Sequence, residues 1–154
     1  MLRIGTEMKR TALREHVFRI LFRYNFYDTD EFRQQEKLYL SEYPEWTEDD
    51  RNDLIENDKA IDELDCAEII SRVDDIEAHM KEIDEKIESA CKGWKLSRLG
   101  KAELSILRLA VYEIFYDEDI DPAVAINEAV ELSKKYCDDK AKSFINGVLA
   151  GLMK

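Results

Sequence analysis

Apolar side chains return every three or four residues along most of this chain, the pattern of helices that each bury one face. From Lys9 to Tyr27 the spacing predicts a helix with Leu13, Val17, Ile20, Leu21 and Tyr24 on one side. A second helix is predicted from Thr29 to Ser41, with Phe32, Leu38 and Leu40 as apolar anchors, followed by a turn at Tyr43-Pro44-Glu45. Thr47 to Asp50 has the form of a capping box, a hydroxyl that caps followed three residues later by an acid. Firm periodicity resumes with Ala60, Ile61, Leu64, Ala67, Ile70 and Val73 and continues through Ile76, Met80, Ile83, Ile87 and Ala90. This run is one long helix or two, with a candidate break at Val73-Asp74-Asp75. Gly93 to Leu99 reads as a connection holding a single helical turn, with Trp94 and Leu96 as anchors.

Gly100 to Met153 then carries three helices separated by short breaks. The first, Lys101 to Phe115, places Leu104, Leu107, Val111, Ile114 and Phe115 at helical spacing. Asp121 before Pro122 starts the second, with the acid as N-cap and proline at the first helical position. It runs to about Tyr136 with Val124, Ala125, Ala129, Val130 and Leu132 as core candidates. After Cys137-Asp138-Asp139 the third presents Phe144, Ile145, Val148, Leu149 and Leu152. Short loops make antiparallel neighbours, so the expectation is an all-α, single-domain helical bundle over residues 1–154. Residues 1–8 are expected to be a flexible arm.

Composition narrows the class. Five Gly and two Pro in 154 residues leave little turn material for a many-stranded fold, and 45% apolar residues argue against a disordered chain. The formal charge of −12 argues against nucleic-acid binding by the molecule as a whole, but its distribution is uneven. Residues 28–92 hold most of the acids. Residues 1–27 hold Arg3, Lys9, Arg10, Arg14, Arg19 and Arg23 against only Glu7 and Glu15. Lys9, Arg10 and Arg14 make the compact part of that group, and Lys134, Lys135, Lys140 and Lys142 form a second one near the last break. Such cations donate to phosphates, and neighbouring Phe and Tyr rings stack on unpaired bases.

Little in the chain supports catalysis. His16 and His79 are the only histidines, and neither is preceded at three residues by a Glu, as a helical di-metal site requires. His16 reads as a surface or half-buried side chain and His79 as a solvated one. No phosphate-cradling glycine loop occurs. Cys66, Cys91 and Cys137 are odd in number and widely spaced, which reads as free, buried or half-buried thiols in a reducing compartment. With no apolar run of membrane-spanning length and no leader sequence, the expectation is a cytoplasmic protein that is not an enzyme and uses no cofactor or metal. Asn127 and Asn146, set within apolar runs, are expected to bridge helices or cap turns.

Three segments carry a more specific signal: Arg108 to Glu113 (RLAVYE), Ala125 to Leu132 (AINEAVEL) and Phe144 to Leu149 (FINGVL). In this order and spacing they resemble the signature segments of the bacterial transcription antitermination factor NusB family. The resemblance is strong from Gly93 to Leu152, recognisable over the first helix, and weak from about Asp28 to Ile70. It implies an all-α domain of about seven helices without catalytic chemistry. It also implies binding of boxA-type single-stranded RNA together with a ribosomal protein, NusE, and assembly with other Nus factors on RNA polymerase. Neither a membrane nor DNA is an implied partner.

Carried onto this chain, the resemblance assigns RNA contact to Lys9, Arg10, Arg14, Phe22, Lys140, Lys142 and Phe144. Thr11 and Ala12 stand where well-known members have basic residues, so the patch on helix 1 is thinner, and Lys140 stands where an acid occurs. The NusE-facing surface is implied for Trp94 to Glu103, with Trp94, Arg98 and Glu103 as its contact residues. Ser97 replaces an acid there. Glu113 is implied to pair with an arginine inside the bundle. Two alternatives stand beside this reading: an interaction module that has lost specific RNA binding, and a stand-alone relative of the RNA-binding domain of ribosomal-RNA methyltransferases.

Overall fold

A computed structural model describes residues 9–41 and 61–154. Seven α-helices occur among them, α1 (Arg10–Tyr24), α2 (Thr29–Ser41), α3 (Glu63–Ala78), α4 (Met80–Ala90), α5 (Lys101–Tyr116), α6 (Pro122–Tyr136) and α7 (Asp139–Leu152), with a 3-10 turn at Leu96–Arg98 and no strand. The turn at Tyr43-Pro44-Glu45 and the capping box at Thr47 lie outside the described residues. The chain divides into two compact units, residues 1–74 and 75–154, and the division falls inside α3.

In the first unit α1 packs on α2. Leu13, Val17, Ile20 and Leu21 are buried as their spacing predicts, and so is Phe32. His16 is fully buried, against the expectation of a surface or half-buried side chain. Its Nδ1 lies 2.6 Å from the Tyr39 hydroxyl, so a buried polar ring has its partner on the next helix. Tyr39 thus takes the inward place, while Leu38, an expected anchor, is exposed. Arg23 sits over the Tyr39 ring, 5.0 Å from its centroid, and donates to the Gln35 carbonyl at 3.1 Å. On α3 the inward positions are Asp65, Ile69 and Val73, not Leu64, Ala67 and Ile70. The side chain of Asp62 explains where this helix begins, because its Oδ1 accepts from the Asp65 N–H at 2.8 Å.

No break occurs at Val73-Asp74-Asp75. The helical run is interrupted at His79, whose N–H is shared between the carbonyls of Asp75 and Ile76 and whose Nδ1 lies 2.8 Å from the Asp75 carbonyl oxygen. The ring lies tilted against that of Tyr116, centroids 4.2 Å apart, so His79 is half-buried in the second unit and not a fully solvated side chain. Beyond it, Met80, Ile83 and Ile87 are buried, and α5 packs against α4, α6 and α7. Arg108 on α5 meets Asp84 on α4 through two parallel bonds of 2.9 and 3.0 Å, and the Tyr112 hydroxyl donates to Asp75 at 2.5 Å. Glu113 is buried within the same unit, one helical turn and a residue beyond Arg108.

The predicted cap of α6 is present: Asp121 accepts from the Ala123 N–H at 2.8 Å, with Pro122 at the first position. Asp138 caps α7 in the same way through the N–H groups of Lys140 and Ala141. Leu104, Leu107, Val111, Ala125, Ala129, Leu132, Ile145, Val148 and Leu149 form the buried face. Phe115 and Val124 do not join it. Phe115 is exposed and covered by the Lys86 ammonium 4.5 Å from its ring centroid. Asn127 and Asn146 are not buried either, so burial imposes no demand on their amides.

Candidate nucleic-acid interface

The residues assigned to RNA on α1 have unlike surroundings. Lys9 is the N-cap of the helix and makes no side-chain cap bond, and the first turn carries no acid. The positive end of the helix dipole is therefore not offset locally, and Lys9 and the exposed Arg10 stand there. Arg10 donates to Glu68 on α3 at 3.0 Å with its side chain 67% exposed, a surface pair that binding of an anion can displace. Arg14 is only 8% exposed and is engaged within the protein, which turns the expected surface cation into an internal one. Phe22 is half-buried and belongs to a ladder of rings, 6.5 Å from Phe18 and 5.3 Å from Phe26. Phe26, at the exposed end of that ladder, lies past the last turn of α1, which ends at Tyr24 and not at the predicted Tyr27.

In the second unit the geometry is more concentrated. After α4 the chain reverses through Lys92 and Gly93, both at positive φ (38° and 91°), a conformation that glycine adopts without strain. The reversal leaves Trp94 56% exposed instead of anchored, and Leu99 is the side chain that buries the connection. The 3-10 turn then sets Arg98 beside the start of α5, and the Asp138 cap sets Lys140 and Phe144 on the first turns of α7. Trp94, Arg98, Glu103, Asp138, Lys140 and Phe144 line one cavity of about 310 Å³. Two residues assigned to RNA and three assigned to the protein partner thus share one place. Lys142 is exposed on the same helix but does not line the cavity.

Glu103 lies over the start of its own helix in this wall. Its carboxylate lies over Gly100, where a Cβ would meet Oε2 at 1.9 Å. Burial pushes the Cys137 thiol up to about 12, and the charge of Glu103 and a hydrogen bond to it act in the same direction. Cys66, Cys91 and Cys137 are all free, buried or half-buried. Neither Arg98 nor Lys140 forms a salt bridge with a described residue.

Charge along the chain marks the same surface. Residues 91–102 contain Lys92, Lys95, Arg98 and Lys101 and no acid, inside a chain of net charge −12. A window of charge finds this basic connection, which apolar spacing and motif order pass over. No group of three or more His, Cys, Asp or Glu side chains suited to a metal occurs among the described residues, and no described helix is long and apolar enough to cross a membrane.

Comparison with known proteins bears on the family and the fold. A family model described as the NusB family matches residues 11–154. The transcription antitermination protein NusB of Agathobacter rectalis is 43% identical over 143 residues, covering 93% of this chain and 98% of that protein. Among solved structures, T. maritima NusB superposes with a TM-score of 0.72 at 27% identity, covering 96% of this chain and 92% of that one. A crystal structure of antitermination factors NusB and NusE in complex with dsRNA matches with a TM-score of 0.69 at 28% identity, covering 93% and 94%.

Proposed function

We propose that this chain, which belongs to the NusB family of non-enzymatic transcription antitermination proteins, binds boxA-type single-stranded RNA jointly with ribosomal protein NusE. In this reading the RNA-bound pair joins other Nus factors on RNA polymerase in the cytoplasm and promotes read-through, above all of ribosomal-RNA operons. The observation that carries the reading is the shared cavity: Lys140 and Phe144 on α7 meet Trp94, Arg98 and Glu103 in one wall. A surface on which RNA and protein residues adjoin suits a factor whose two ligands strengthen each other. Lys140 and Lys142 would attract phosphates, Phe144 would offer a ring, and Glu103 would take a cation of the partner. On α1, Lys9 and Arg10 supply charge and Phe22 a half-covered ring, whereas the buried Arg14 serves by holding the helix.

The test is the affinity for a boxA-like single-stranded RNA, measured at stated salt with and without NusE. The expected result is weak binding alone, much tighter binding with the partner, and clear preference over a scrambled RNA. Absence of any preference in both cases overturns the reading. A second reading, an interaction module without specific RNA binding, is favoured by the burial of Arg14 and the pairing of Arg10 with Glu68. It predicts NusE binding that RNA leaves unchanged.

A further inference from the structure

We infer that Trp94 belongs to the RNA site, and that the cavity it shares with Phe144 receives one unstacked nucleobase whose adjoining phosphates lie on Arg98 and Lys140. The inference rests on the RNA-binding reading above and deepens it, because Trp94 is otherwise assigned to the protein partner. Four features carry it.

The cavity, about 310 Å³, sits at the small end of the ~300–1,000 Å³ range typical of ligand pockets, suited to a single flat ring system. Its aromatic lining is offered to a ligand: Trp94 is 56% exposed and Phe144 half-buried. Large rings left open in this way expose apolar surface that a stacked base would cover. The connection on one side of the cavity favours a polyanion, while the lining itself sets Arg98 and Lys140 against Glu103 and Asp138. Residues 91–102 carry four cations and no acid, and the cations on the cavity, Arg98 and Lys140, form no salt bridge with described residues. Finally, Asp138 caps α7 through Oδ1 alone, so its second carboxylate oxygen is left in the same lining as an acceptor for a base edge that donates. An acidic peptide would meet the same cations, but only one with an aromatic side chain at that point brings a flat ring to the Trp94 and Phe144 pair, whereas every nucleotide of a single strand brings one.

The experiment uses the full chain. Replacing Trp46 by Phe leaves Trp94 as the only tryptophan. A single-stranded oligoribonucleotide is expected to quench Trp94 emission on binding, whereas an abasic oligomer with the same number of phosphates should not. Trp94→Ala should weaken RNA binding by about tenfold, within the range measured for removal of a stacking ring, and Trp94→Phe should retain most of it. Arg98→Gln with Lys140→Gln should lower the log–log salt slope by about 0.7 for each phosphate of the single strand that is no longer neutralised. An unchanged helical spectrum excludes misfolding, which the exposure of Trp94 makes unexpected.

Wild-type RNA affinity in Trp94→Ala together with weakened NusE binding overturns the inference and returns the cavity to a partner side chain. Equal quenching by the abasic oligomer overturns base insertion. In both cases the RNA-binding function itself stands. Failure of the unsubstituted chain to bind RNA, alone and with NusE, overturns the inference and the function together.

Discussion

The basic group on α1 and the basic group around the cavity contain similar cations in opposite circumstances. On α1, Arg10 reaches Glu68 and Arg14 is buried, so much of the positive charge is already answered within the protein. Around the cavity, Arg98 and Lys140 meet no carboxylate of a described residue in a salt bridge. Only the first group has the look of a motif in sequence. A cation's worth to a phosphate therefore depends on which counter-ion the fold has supplied. An arginine committed to the protein must be detached before it binds a ligand, and an open one need not be.

Cys137 offers the largest expected effect on which this contrast can fail. Burial holds the Cys137 thiol up to about 12 against an ordinary 9.0, and the charge of Glu103 adds to it, a contribution that shrinks if Arg98 or Lys140 neutralises that carboxylate. Alkylation at pH 8 should therefore be slower than for an open cysteine by on the order of a hundredfold or more, since the thiolate is the reactive form. Glu103→Gln should speed it. The linkage has a sign: with the folded value raised, this group's contribution to stability is present below pH 9 and lost as pH rises from about 9 towards 12. Mass-spectrometric labelling of Cys137 at several pH values reads the reactivity, and an unchanged rate in Glu103→Gln would show that burial alone, without an open Glu103 charge, holds the thiol up.

Arg108 supplies the paired extreme within the second unit. Its bidentate bond to Asp84 lies 10% and 25% exposed, so Arg108→Met should lower stability in urea by about 2 kcal/mol, between the values for buried and surface pairs. Arg98→Met should change stability by less than about 0.5 kcal/mol. Equal losses would erase the distinction between held and open arginines. On RNA affinity, Lys140→Ala should cost about fivefold and Arg10→Ala about twofold, measured by titration at low salt. Reversal of that order would return the leading role to α1. The smallest effect expected is a gain: Glu68→Gln frees Arg10 and should raise RNA affinity by about twofold.

Helices α2, α5 and α6 follow the apolar spacing to within a residue, because amphipathic periodicity and local caps such as Asp121-Pro122 are properties of adjacent residues. The three signature segments in α5, α6 and α7 are likewise enough to indicate the family, which the match over residues 11–154 bears out. Spacing is less informative on α3, where Asp65 takes an inward place that apolar pattern assigns to no acid. It also misses the interruption at His79, which depends on a ring nitrogen lying close to a carbonyl oxygen and on the ring of Tyr116, far along the chain on α5.

An all-helical chain, its caps, most of the buried face of the last three helices and its family can all be read from the order of residues. They follow from interactions within a few positions and from a motif order that needs no third dimension. Which charges are open is a matter of packing alone. The burial of Arg14 and the exposure of Trp94 are set by packing, and the meeting of Arg98 with Lys140 at one cavity joins segments about forty residues apart. Long-range packing sets burial and counter-ions, and with them the surface a polyanion would meet.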